Sequence, residues 1–274
     1  MALPASTKGL PMKLLTIIVA LVLLQTVLHE VRFVCGEAAL PREKAEPPAK
    51  AKSLITLPKD KTPVEKWMKD NDWTSARDDP SKFKVGDGRL HLVSKGDSVM
   101  IGTKAGFPVD PAEWTRIRIR LRVDRNPTGA DLSRTSGDDA AFRLYVGFDR
   151  GGGLLSPPNT LVYSWTENVA EGTVIQSAHY KQLRYLSIGS GVTTEPKDKG
   201  AAKTQGGEAG KTAEGEPGWV TVERNVIDDY RKAFPEDKKA VPSITGIVLK
   251  CDSNNTGTSA ESWLSSLELL PAKK

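Results

Sequence analysis

The chain has 274 residues, 39 of them Lys or Arg against 34 Asp or Glu, with a net charge of +5 and 38% apolar content, which suits one large domain with appendages. Both charge signs are interspersed and no patch of aromatics with Lys or Arg stands out, so a nucleic-acid partner is not expected. Two cysteines, Cys35 and Cys251, exclude a disulfide framework, and with three scattered histidines they form no metal cluster.

Residues 14–28 read LLTIIVALVLLQTVL after Lys8 and Lys13. A basic start, an apolar run and then small residues is the layout of a secretory signal, so 1–36 reads as a signal peptide, cut after Gly36 or Ala38. Retention as a membrane anchor through 14–28 is the alternative, although the run is shorter than the ~20 residues a spanning helix prefers. Lipidation of Cys35 is a third reading, and Arg32, Phe33 and Val34 before it fit that poorly. The expected location is the periplasm, the cell envelope or the medium.

Residues 37–63 are rich in Pro, Lys, Ala and Glu, lack an apolar period and read as a disordered tether. A folded domain is expected over 64–271. Val64, Trp67 and Met68 have helical spacing. Phe83, Val85, Leu90 and Leu92 flank a Gly86-Asp87-Gly88 turn, which predicts a hairpin. Residues 98–103 form another short strand.

The clearest strand is 115–124, TRIRIRLRVD, in which Ile117, Ile119, Leu121 and Val123 alternate with four arginines. Residues 141–149 alternate again, with Phe142, Leu144, Val146 and Phe148 on one side and Arg143 and Tyr145 on the other. Strands at 161–167, 182–189, 219–223, 244–251 and 263–270 complete a set of about nine or ten. One helix interrupts them: Asn225 caps it, Val226, Ile227, Tyr230 and Phe234 line one face, and Pro235 follows its end. Residues 193–217 are low-complexity and read as a surface loop. The predicted fold is mainly β, an antiparallel β-sandwich or jelly roll with one short helix and an N-terminal export segment.

Four segments carry a resemblance. Residues 137–146, GDDAAFRLYV, resemble a GDDAA-x-R-x-Y-V segment, and 163–165, YSW, resemble a Y-x-W strand. Residues 223–234, ERNVIDDYRKAF, resemble R-D-V-x-x-D-Y-R-x-x-F, and 252–257, DSNNTG, resemble a D-x-D-N-T turn. In this order they resemble the bacterial family DUF3047 from about Trp114 to the C-terminus. Asn225 and Asn254 stand where that family usually has Asp, and the 193–217 insertion is long. The resemblance implies an exported, β-sandwich-like protein and assigns no activity.

Several constellations could carry chemistry. Asp138 and Asp139 at a strand entrance suit an acid/base pair or a cation, although neighbouring strand residues face opposite ways. The structural alternative is that one caps a turn and the other pairs with a buried Arg such as Arg143 or Arg224. Arg143, Tyr145, Tyr163 and Trp165 on central strands suit a glycan, with rings stacking on sugar C–H faces. Alternation pairs Tyr163 with Trp165 and Arg143 with Tyr145. Asp252, Asn254 and Asn255 are oxygen-rich enough for Ca²⁺, the one cofactor considered, and equally suit side-chain-to-backbone turn bonding. The row Arg116, Arg118, Arg120 and Arg122 reads as a water-facing strand matched by neighbouring acids, or as a docking strip for an anionic glycan or phospholipid head groups.

No G-x-S-x-G elbow, phosphate loop or dinucleotide fingerprint occurs. The expected function is therefore a non-catalytic binding module for a glycan or cell-envelope polymer. The rival is a carbohydrate-active lyase or hydrolase using an Asp, Arg and Tyr site.

Overall fold

The computed structural model describes residues 50–75, 82–149, 158–194 and 216–272. The export segment 1–36 with its possible membrane tether at 14–28, residues 37–49, and most of the expected loop at 193–217 lie outside the described residues. The strands are β1 (Lys52–Ser53), β2 (Trp73–Ser75), β3 (Phe83–Gly86), β4 (Arg89–Lys95), β5 (Ser98–Thr103), β6 (Arg116–Arg125), β7 (Ala140–Phe148), β8 (Asn159–Thr166), β9 (Val174–Gln176), β10 (Leu183–Ser190), β11 (Val220–Asn225), β12 (Ile244–Asp252) and β13 (Ser259–Leu270). Helix α1 spans Val64–Asp70 and α2 spans Val226–Ala233.

Two sheets form a sandwich. The six-stranded sheet runs β11-β6-β13-β4-β3 with β1 added on β13, and the seven-stranded sheet runs β2-β5-β12-β7-β8-β10-β9. Ile117, Ile119, Leu121 and Val123 of β6 enter one apolar core with Phe142, Leu144, Val146 and Phe148 of β7, all at most 1% exposed. Fully burying each such side chain contributes about 1.5–3 kcal/mol. Strict two-residue alternation therefore places both strands as the sequence predicts.

Among the described residues two helices are present, α1 where Val64, Trp67 and Met68 have helical spacing and α2 after the Asn225 cap. Three features differ from the expectation. The pairing of β8 with β10 is parallel, whereas the other strand pairings are antiparallel. Short strands β1, β2 and β9 carry too few residues to show a period. Part of the expected tether also packs on the domain: β1 pairs with β13, Ile55 is buried, and Trp67 Nε1 donates to the Thr56 carbonyl at 2.7 Å. The reason lies in β13, which outruns its neighbour β4. Ser259 to Leu264 pair with β4, and the Glu268 and Leu269 positions beyond that strand's end are taken up by Ser53 and Lys52.

Helix α2 is started by the side chain of the residue before it. The Asn225 side-chain oxygen accepts from the Ile227 and Asp228 amides at 3.0 and 3.2 Å. Asp228 and Asp229 sit in its first turn and Arg231 and Lys232 in its last, both favourable to the helix dipole. Asn225→Ala is expected to cost about 1 kcal/mol in urea denaturation.

The arginine row of β6 faces away from the core. Arg116 and Arg118 both reach Glu223 on β11, and Arg118 also reaches Glu268 at 3.5 Å. Arg122 pairs with Asp124 at 2.8 Å. Burial alone pushes the Glu223 carboxyl up, but hydrogen bonds from Arg116 and Arg118 outweigh it and hold the group below its ordinary value. A depressed carboxyl stabilises the fold above its unfolded-state pKa and ceases to do so as pH falls through the folded one. Stability is thus expected to drop as the pH is lowered below the ordinary glutamate range. Glu223→Gln flattens that fall by up to about 1 kcal/mol, read from urea midpoints at stepped pH.

Candidate functional site

The outer face of the seven-stranded sheet holds a buried charge cluster. On β7, Arg143 alternates with core residues and so points away from the core, yet it is completely buried. The segment joining β6 to β7 covers it. That segment is pinned where the Asp131 amide donates to the Gly137 carbonyl at 2.7 Å, and a Cβ on Gly137 would lie 2.8 Å from the Asp131 nitrogen. Leu132 from this segment packs with Ala140, Val162 and Tyr185 into a second small core, against which Tyr145 also rests.

Arg143 Nη2 donates to Asp138 Oδ1 at 2.7 Å, and Nη1 donates to Asp252 Oδ2 at 3.4 Å. Its guanidinium lies 5.0 Å from the centre of the Tyr185 ring. The Tyr185 hydroxyl donates to the other Asp138 oxygen at 2.8 Å, and His179 Nε2 stands 3.9 Å from it. On β12, Lys250 is paired in register with Arg143 and bonds Asp252. Like charges directly opposite on neighbouring strands repel, so the two carboxylates are what permit Arg143 and Lys250 to share this face.

Burial disfavours the charged Arg143, but Asp138, followed by Tyr145, Tyr185 and Asp252, together outweigh that and keep the guanidinium charged. Lys250 follows the same rule, with Asp252 outweighing burial and raising the ammonium. Burial pushes the Tyr185 hydroxyl well above its ordinary value and raises Tyr180 as well, so neither phenol ionises near neutral pH. Within the cluster, Arg143 Nε and Asp252 Oδ1 are buried without a protein partner.

The neighbouring aspartates have separate tasks. Asp139 accepts the Thr256 amide at 2.6 Å and the Asn255 amide at 3.0 Å, which clamps the 252–257 turn. The Asn255 side-chain amide donates to the Asp138 carbonyl at 2.9 Å. These oxygens are thus engaged with donors, and Asp252 faces two cations with which a calcium ion would compete. Asn254 is half-buried in the same turn. Among the described residues no group of three His, Cys, Asp or Glu side chains could hold a metal ion.

The predicted site residues divide between the two faces of the sheet. Asp138, Arg143 and Tyr145 come together on the outer face, joined by Asp252, while Asp139 turns to the adjacent loop. Tyr163 and Trp165 lie on the opposite, core face, 0% and 4% exposed. Register dictates this, because Tyr163 pairs with Leu144 and Trp165 with Phe142, both core-facing. Trp165 Nε1 donates to the Gly191 carbonyl at 2.7 Å. Burial, then Asp229, push the Tyr163 hydroxyl well above its ordinary value.

Lys250, His179 and Tyr180 were not anticipated. Lys250 was detectable, since Leu249 and Cys251 alternate with Lys250 and Asp252 along β12; the other two sit in a loop without a period. The helix motif proves to be a clamp: Arg224 holds Asp229 through two bonds of 3.0 and 2.6 Å, tying β11 to α2.

The sequence model of a family described as "Protein of unknown function (DUF3047)" matches residues 65–197 and 208–268. No curated protein matches the sequence. Among solved structures, the xyloglucanase domain of NopAA, a type three effector from Sinorhizobium fredii, is 11% identical, with 73% of this chain and 92% of that chain covered at a TM-score of 0.35. The family 11 xylanase from Neocallimastix patriciarum is 8% identical, covering 72% and 91% at a TM-score of 0.28. Likeness at this level carries no inference about substrate or chemistry.

Proposed function

This chain belongs to the DUF3047 family of proteins of unknown function, and from that premise we propose that it is an exported, non-catalytic module that binds a cell-envelope glycan. The proposed binding surface is the outer face of the seven-stranded sheet, around half-buried Tyr145 and Tyr180, exposed His179 and the Lys250 ammonium. One observation carries the reading. Both oxygens of Asp138 are already bonded, to buried Arg143 and to Tyr185, and Asp139 is spent on the 252–257 turn. A glycosidase needs two carboxyl groups free to face the scissile bond. This cluster instead offers a buried, ion-paired base under partly exposed rings, which suits orientation of a sugar by stacking and hydrogen bonding.

The test is a panel of peptidoglycan, lipopolysaccharide and capsular polysaccharides against the purified domain. Binding of one of them, weakened at least about tenfold in Tyr145→Ala and Tyr180→Ala, is the expected result. Binding to none defeats the proposal, and release of new reducing ends or unsaturated sugars defeats its non-catalytic part. Export is tested by fusing residues 1–63 to a reporter active only outside the cytosol; an inactive fusion counts against it.

A further inference from the structure

The outer face of the six-stranded sheet carries a separate arrangement. Trp219, just before β11, is 4% exposed, and three guanidinium groups lie over its ring: Arg120 at 5.0 Å, Arg89 at 5.3 Å and Arg122 at 5.7 Å from the centroid. A tryptophan face attracts a cation, but cations gathered over one ring repel each other unless acids match them. Arg89 is matched by Glu216, at 2.6 and 2.8 Å, and Arg122 by Asp124 at 2.8 Å. Arg120 has no carboxylate partner among the described residues; its guanidinium donates to the Ser265 hydroxyl at 3.2 Å. Among the described residues two buried donors, Trp219 Nε1 and Arg122 Nε, also lack an acceptor, and the three arginines over the ring outnumber their carboxylate partners by one.

We propose that Arg120, seated on Trp219, is an anion subsite that takes the single carboxylate of a uronic-acid unit in an acidic polysaccharide. Charge complementarity selects this ligand. A singly charged carboxylate matches one unpaired guanidinium and can accept two of its N–H groups side by side. An anionic bilayer is a poorer match. Each free Lys or Arg contributes only about 1 kcal/mol to membrane adsorption, so stable docking needs several. Arg116, Arg118 and Arg122 are already occupied by Glu223, Glu268 and Asp124. The site lies on the other sheet from Tyr145, so it stands or falls independently of the glycan face proposed above.

The experiment titrates the purified domain with sodium polygalacturonate, with neutral dextran of the same length, and with phosphatidylglycerol vesicles. Polygalacturonate is expected to bind in a salt-sensitive way and dextran not to bind at this site. Arg120→Ala and the stem-preserving Arg120→Gln should each weaken polygalacturonate at least about tenfold with an unchanged melting temperature. Wild-type affinity in the folded Arg120→Gln protein overturns the proposal. So does failure of the wild type to bind polygalacturonate, or binding of the vesicles in its place.

Discussion

Arg143→Leu is expected to lower the unfolding free energy by about 3–5 kcal/mol, the cost of removing one partner from a buried charge network. The guanidinium is completely buried and bonds Asp138 and Asp252, the latter 1% exposed. Leucine fills part of the volume but leaves both carboxylates facing an apolar wall, with Lys250 on Asp252 and the Tyr185 hydroxyl on Asp138 as the remaining hydrogen-bond donors among the described side chains. Arg143→Lys recovers little, because one ammonium cannot reach both carboxylates as the planar fork does. The measurement is the urea midpoint and slope by far-ultraviolet circular dichroism. Adding Asp138→Asn to Arg143→Leu should restore part of the loss, since it removes one stranded charge. A loss under 1 kcal/mol, or no restoration, would show that the network does not hold this face together.

The second large effect is steric. Gly189 lies in β10 at a register shift against β8, with a φ of 154°. A Cβ there would stand 2.3 Å from Cζ3 and 2.5 Å from Cη2 of Trp165. No side chain fits beneath that ring, and the indole cannot swing aside without giving up its bond to the Gly191 carbonyl. Gly189→Ala is therefore expected to cost roughly 3 kcal/mol, the sum of overpacking and backbone strain. Trp165→Leu destabilises by itself through the cavity it leaves, yet the double substitution should cost clearly less than the two singles together. Additive losses would show that the clash is not the cause.

The site residues divide according to how local their information is. Ile117 to Val123 alternate without a break, and so do Phe142 to Phe148. Each therefore declared its strand and its core face, because a period of two has one structural meaning. The Gly86-Asp87-Gly88 turn and the Asn225 cap were equally legible, since both act on backbone within a few residues. The grouping of Arg143 with Tyr145, and of Tyr163 with Trp165, also followed from alternation.

Which face of a strand meets water is a different question, answered only by tertiary structure. Alternation sets Arg143 on the face opposite the core residues and leaves it open as a glycan contact or as a buried partner of an aspartate; the segment before β7, folding back over the sheet, decides for the buried pair with Asp138. Tyr163 and Trp165 read as site residues; the register of β8 against β7 put them inside. Asp138 and Asp252, more than a hundred positions apart, became ion-pair partners of one arginine through the adjacency of β7 and β12. Local periodicity records only which side chains agree on a side. Strand order, register and the loop that closes over a face are settled by contacts between distant segments, and it is these contacts that separate a buried charge network from an open cleft.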